Sequence, residues 1–236
     1  MKKNKHDLLI KHLESLRSVL IKCILALAIG ILPLFFVTPY VLETLINVMM
    51  RYGAVKLHFF SPLEVFILQI KIAIELDILV CFPYMAKQIW SFILPGLYDR
   101  ERKFIKSIVV TSGILFIAGV LFCLFFILPL IIRFGIGFAT DNIQAVFGIA
   151  NIVSLALWLS LVFGIMFQFP LITFALLRAK IVSYEAIKNK RAYVFVSILI
   201  ISGLLTPPDI ISQIVLTIPT YALFEMGLFL GKNTQP

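Results

Sequence analysis

Six apolar runs of roughly membrane-spanning length constrain this 236-residue chain more than any other feature: Val19–Val37, Leu63–Met85, Ile108–Leu130, Ile152–Leu177, Ala192–Leu205 and Ile210–Leu230. About 20 apolar residues cross a hydrocarbon core of roughly 30 Å. No water reaches that core, so every backbone N–H and C=O needs an internal partner, which leaves helices or a closed barrel. Continuous rather than alternating apolarity selects helices. The expected fold class is all-α, a polytopic membrane protein with six transmembrane helices. Charged residues make up only 14% of the chain, against about 25% in soluble domains, which agrees with this reading.

The cations set the orientation. They cluster before the first run (Lys2, Lys3, Lys5, Lys11, Arg17, Lys22), between the second and third (Lys87, Arg100, Arg102, Lys103, Lys106) and between the fourth and fifth (Arg178, Lys180, Lys188, Lys190, Arg191). Lys232 follows the last run, and only Arg51, Lys56 and Arg133 fall on the other side. Lysine and arginine are retained on the cytoplasmic side, so the N and C termini are both expected to be cytoplasmic. The net charge of +9 is therefore a topology signal rather than a nucleic-acid surface, and no nucleic acid is expected as a partner. The chain reads as a single integral membrane domain, 1–236, with a cytoplasmic N-terminal segment 1–18, a six-helix bundle 19–230 and a cytoplasmic tail 231–236. A cleaved signal peptide over Met1–Val37 is disfavoured by the length of the apolar run and the lack of a small-residue cleavage site. A multi-pass protein of the bacterial inner membrane fits best, and an organelle membrane also fits.

Several residues break the apolar pattern. Lys71 and Glu75 are four apart in the second run and are expected to neutralise one another on one helix face, while Asp77 has no evident local partner. Gln168 and Pro170 interrupt the long fourth run: proline removes one helical bond, and a glutamine in the bilayer needs a hydrogen-bond partner or a polar cavity. The fifth run is short, and the sixth has its first acid at Glu225, with Thr206-Pro207-Pro208-Asp209 as a tight turn between them. Cys23, Cys81 and Cys123 lie inside the runs without metal-ligand spacing.

Between the second and third runs, Gln88 to Lys103 combines aromatic residues suited to the headgroup layer (Trp90, Phe92, Tyr98), a Pro95-Gly96 turn and Glu101 among cations. A carboxylate at the lipid surface is a natural receptor for a cationic peptide. Enzymatic readings find no support: the three histidines lie outside the apolar runs, and no hydrolase, zinc-protease or phosphate-loop pattern occurs. No enzyme activity and no cofactor are expected. A secondary transporter or channel using the charges of the second helix is the alternative reading.

Lys11-His12-Leu13-Glu14-Ser15-Leu16-Arg17, the loop Gln88–Lys103, Phe167-Gln168-Phe169-Pro170 and Leu205-Thr206-Pro207-Pro208-Asp209, in that order along the chain, resemble the TatC family, the multi-span subunit of the twin-arginine protein translocase. The resemblance implies a cupped six-helix fold and a receptor for the twin-arginine signal peptides of folded precursor proteins. It further implies single-span A-type and B-type Tat subunits as partners, homo- and hetero-oligomers in the lipid bilayer, and transport driven by the proton-motive force. The signal-peptide surface implied comprises Glu101, Glu14, Arg17, Phe92, Arg100 and Arg102; Gln168, Pro170 and Asp209 are implied as a polar cavity or partner contact. Two positions depart from the family pattern. Ser15 stands where a carboxylate is usual, with Glu14 one residue earlier, and Gln168 replaces the usual glutamate, keeping hydrogen bonding without charge.

Overall fold

The computed structural model describes residues 2–53, 57–58, 60–93, 102–137, 147–179, 181–205 and 210–232. The chain enters as α1 (Lys2–Phe35), whose 34 residues span about 51 Å at 1.5 Å per residue and so outreach the hydrocarbon core. Next come α2 (Thr38–Gly53), the two-residue strand β1 (Leu57–His58) and α3 (Pro62–Ile93). The third apolar run forms α4 (Arg102–Phe122), a π segment (Cys123–Ile127) and α5 (Leu128–Ile136). Pro129, two residues past the end of the π segment, has no N–H to donate, which is where a helix accommodates an extra residue. After β2 (Phe147–Gly148) come α6 (Ile149–Met166), α7 (Phe169–Arg178), the short α8 (Tyr184–Lys188), α9 (Arg191–Leu205) and α10 (Ile210–Lys232).

Four stretches combine the length and apolarity of a membrane crossing: 13–35, 106–136, 149–178 and 213–232. The 32-residue α3 is long enough but carries Lys71, Glu75 and Asp77, and α9 has 15 residues. Contacts fix the helix directions. Cys81 meets Ala26 and Asp77 meets Gly30, so α1 and α3 are antiparallel. Phe82 stacks on Phe116 with ring centroids 3.9 Å apart while Gly113 approaches Pro83, which makes α4 antiparallel to α3. Lys71 bonds Ser154 and Glu75 bonds Ser160, so α6 runs parallel to α3. Ring contact of Phe195 with Tyr221 and an Arg191–Glu225 ion pair of 2.9 Å fold α9 and α10 into an antiparallel hairpin.

Apolar side chains gather into three clusters along the helix seams. One joins Leu42, Leu45 and Met49 of α2 to Leu68, Ile72, Ile132 and Val153. Those three α2 positions lie on one helical face, and this amphipathic helix between Val37 and Leu63 is absent from the reading of the apolar runs, which detects continuous apolarity and not a stripe. At the same end, Leu57 and His58 pair in parallel with Phe147 and Gly148, the one strand contact among the described residues of an otherwise helical protein.

Two expectations are corrected. Lys71 and Glu75 do not pair: Lys71 Nζ donates to Ser154 Oγ at 2.8 Å and Glu75 bonds Ser160, because both side chains turn to α6 rather than along their own helix. Trp90 does not present its ring to lipid; it is 4% exposed and packs with Ala86, Ile108, Leu171 and Ala175. The sixth run is helical through its acid: Glu225 accepts from Arg191 and, at 2.9 Å, from the Tyr221 hydroxyl, and α10 runs on to Lys232. Asp77 also finds its surroundings: it is 2% exposed, accepts from Cys81 Sγ at 3.3 Å, and occupies the space left by the missing side chain of Gly30.

Candidate functional site

The antiparallel packing of α1 and α3 brings the start of one apolar segment beside the end of the other. Residues 14, 18 and 22 of α1 recur every four positions and so share one face. Opposite them stand Gln88, Ser91 and Phe92 from the last turns of α3. Together with Ser15 and Val19 they line an open cleft of about 540 Å³. A second hollow of about 400 Å³, lined by Glu14, Arg17, Ser18, Ile21 and Lys22, adjoins it along α1 and shares Glu14, Ser18 and Lys22 with it. Glu14 borders both.

Of the residues implied as a signal-peptide surface, the fold therefore joins Glu14 and Phe92 across one cleft and sets Arg17 beside Glu14 in the adjoining hollow. Glu14 and Ser15 line the same cleft, so the one-residue displacement of the carboxylate leaves it on the cleft wall. Arg100 and Glu101 lie outside the described residues, as do Asp209 and the side chain of Arg102, whose backbone begins α4. Ser18 and Lys22 are lining residues that motif reading did not single out, whereas Gln88 and Ser91 belong to the stretch read as a loop, whose first residues the structure places in α3 up to Ile93. The four-residue spacing from Glu14 through Ser18 to Lys22 is the signal that would have found the first two. Glu14 faces water, with its negative charge flanked by Lys22 on the shared wall. The cleft thus offers a carboxylate, hydroxyl and amide acceptors and an aromatic ring, a set suited to an extended cationic peptide.

Gln168 lies elsewhere, at the break between α6 and α7. Ser112 Oγ donates to its Oε1 at 2.6 Å, and its Nε2 reaches the carbonyls of Ser112 at 3.1 Å and Gly164 at 3.3 Å. At 7% exposure it is a satisfied interhelical contact and does not face a polar cavity. Pro170, in the first turn of α7, lacks the N–H that would have bonded Met166, and the helix breaks there. The groove beside Pro170, about 480 Å³, is walled mainly by carbon from Ile108, Leu115, Phe167, Leu171 and Met226. Pro170 also receives α10 at close range: a Cβ on Gly227 would come within 2.6 Å of the proline Cα. No cluster of three or more potential metal ligands occurs among the described residues.

Residues 11–219 match the family described as TatC, Sec-independent protein translocase protein. Over 229 residues the chain is 34% identical to the Sec-independent protein translocase protein TatC of Carboxydothermus hydrogenoformans, covering 97% of this chain and 94% of that protein. The corresponding protein of Escherichia coli K12 is 33% identical over 233 residues, covering 95% of this chain and 88% of its own length. A crystal structure of the twin-arginine translocase receptor TatC superposes with a TM-score of 0.85 at 30% identity, covering 95% of this chain and 100% of that one. The helical arrangement seen here is the TatC fold. The chain belongs to the TatC family of Sec-independent protein translocase proteins, multi-span membrane components of protein transport that are not enzymes.

Proposed function

We propose that this protein is the receptor subunit of a twin-arginine translocase. It binds the twin-arginine signal peptides of folded precursors and helps carry them across the membrane on the proton-motive force. The observation that carries this reading is the cleft in which Glu14 of α1 faces Phe92 of α3, at the end of α3 from which the chain runs into the loop bearing Glu101. In this reading Glu101 and Glu14 receive the two guanidinium groups, Phe92 and Arg17 border them, and Arg100 and Arg102 flank the loop carboxylate. Planar guanidinium groups bind carboxylates through two parallel bonds, which a lysine ammonium cannot do.

The chain crosses the membrane six times, through α1, α3, α4–α5, α6–α7, α9 and α10, with both termini cytoplasmic. The alternating helix directions support this, since they bring Lys22, Lys106, Arg178, Arg191 and Lys232 to one end of the bundle. The whole chain is one integral domain, with 1–18 and 231–236 as its cytoplasmic ends, in the bacterial inner membrane. Single-span A-type and B-type Tat subunits and further copies of the chain are its partners, with Pro170, Gln168 and Asp209 near the contact surface.

The test is binding of a twin-arginine peptide to the purified protein. A charge-assisted hydrogen bond contributes roughly 1.5 to 3 kcal/mol, so Glu101→Gln is expected to weaken binding about ten- to a hundredfold while folding is kept. Unchanged affinity would reduce Glu101 to a counter-charge for its neighbours, and no binding by the unaltered protein would reject the receptor reading.

A further inference from the structure

Glu75 lies near the middle of α3 at 7% exposure, and its two carboxyl oxygens have different surroundings. Oε1 is hydrogen-bonded to Ser160 Oγ of α6, while Oε2 is buried with no hydrogen-bond partner. Ser160 Oγ also stands 3.0 Å from the Leu157 carbonyl, placed to donate to it. A serine hydroxyl carries one proton, and a carbonyl or an ionised carboxylate can only accept. The two contacts of Ser160 therefore need two protons, of which the hydroxyl brings one. If Glu75 is a carboxylic acid it supplies the other, and each of the three oxygens then has a partner.

No neighbouring charge is bonded to the Glu75 carboxyl. Lys71, one turn earlier, is bound to Ser154, and Asp77 is turned toward Gly30 and Cys81. The titratable group whose field meets that of Glu75 is the Cys123 thiol of the π segment. Lys22 and Cys23 on α1, and Tyr40, Glu43 and Arg51 on α2, make no bond to Glu75. An ionised carboxylate here would be buried with no bonded counter-charge, an arrangement membrane interiors disfavour strongly.

We infer that Glu75 is a proton-binding site inside the membrane, occupied in this conformation, with its acid O–H donating to Ser160 Oγ and the Ser160 hydroxyl donating to the Leu157 carbonyl. Release transfers one proton from Glu75 to water. Ser160 then turns its hydroxyl from Leu157 to the carboxylate, and Lys71 exchanges Ser154 for Glu75, its neighbour four residues on.

The experiment is infrared spectroscopy of the intact protein in hydrated lipid bilayers at neutral pH, read at the carbonyl stretch of protonated carboxylic acids. The wild-type is expected to show a band that shifts downward in D2O and is missing from Glu75→Gln, with the carboxylate bands of the two proteins equal. Identical acid bands, or loss of a carboxylate band in the variant, would overturn the inference. Ser160→Ala leaves Glu75 in place and serves if the first variant does not fold. Its acid band should persist at higher frequency, having lost its hydrogen bond, and an absent or unmoved band counts against the site. Peptide binding does not enter this readout, so failure here leaves the receptor reading intact, and failure of peptide binding leaves the proton site intact.

Discussion

Gln168 joins two helices through three hydrogen bonds at a point where the backbone is already broken, so its side chain does more than fill space. Gln168→Leu leaves the Ser112 hydroxyl and two carbonyls without this partner, and interhelical polar contacts in membranes contribute about 0.6 to 1.7 kcal/mol. We expect a loss of thermal stability of that order with impaired transport. Gln168→Glu, which matches the size and can accept from Ser112, should remain active. Full transport by the leucine variant would reduce Gln168 to a packing residue. For Glu14, a photocrosslinker at position 14 should label a bound signal peptide, because this residue lines the cleft beside Ser15 and Phe92. Labelling from position 15 alone would place the peptide on another face of α1. Glu14 was legible in sequence because the segment Lys11–Arg17 that carries it resembles a family motif. Trp90 was not, since an aromatic residue near a charged loop looks alike whether it meets lipid or packs beneath the next helix, and only tertiary contact with Leu171 and Ala175 separates the two.

At the scale of elements, close approach of α10 to α7 depends on Gly227 and Gly231, four residues apart on one helix face. A Cβ at the first would strike Pro170, and one at the second would come within 2.2 Å of Leu177. Small residues at this spacing let helix backbones meet where no hydrophobic force drives them together. Gly227→Val is therefore expected to destabilise the protein by roughly 1 to 3 kcal/mol, the usual cost of overpacking, read as a lower unfolding temperature in detergent. An unchanged temperature would mean that α10 moves aside freely. The six apolar runs are helical over nearly all their length, the exceptions being Phe36-Val37 after α1 and the turn at Phe167-Gln168, because backbone satisfaction in lipid dictates helix almost regardless of side-chain detail. Less legible was how Glu225 is carried inside the last of them, which depends on Arg191 and Tyr221 to neutralise and bond it. An amphipathic helix such as α2 leaves no long apolar run at all, and the π segment next to Pro129 has no signature beyond the proline itself.

For the molecule as a whole, cysteine labelling gives the orientation. In a protein lacking Cys23, Cys81 and Cys123, a cysteine replacing Lys232 should react only from the cytoplasmic side, and one replacing Arg51 only from the opposite side. The reverse pattern would overturn the topology. Wall residues of the cleft on α1 could be anticipated from helical spacing, whereas the facing residues of α3 depend on the antiparallel register that Ala26 and Cys81 record. The α9–α10 hairpin closes on itself through Arg191–Glu225, Phe195–Tyr221 and the bond from Gln213 to the Leu199 carbonyl. The apolar clusters draw almost entirely on residues before 180, the second adding Leu205, Val215 and Leu216 from this hairpin. During synthesis, then, the first three-quarters of the chain can bury its seams while the ribosome still holds the remainder. The hairpin reaches a surface already assembled, and fitting Gly227 against Pro170 becomes the last event of biogenesis, a clasp fastened after the rest of the protein has taken shape.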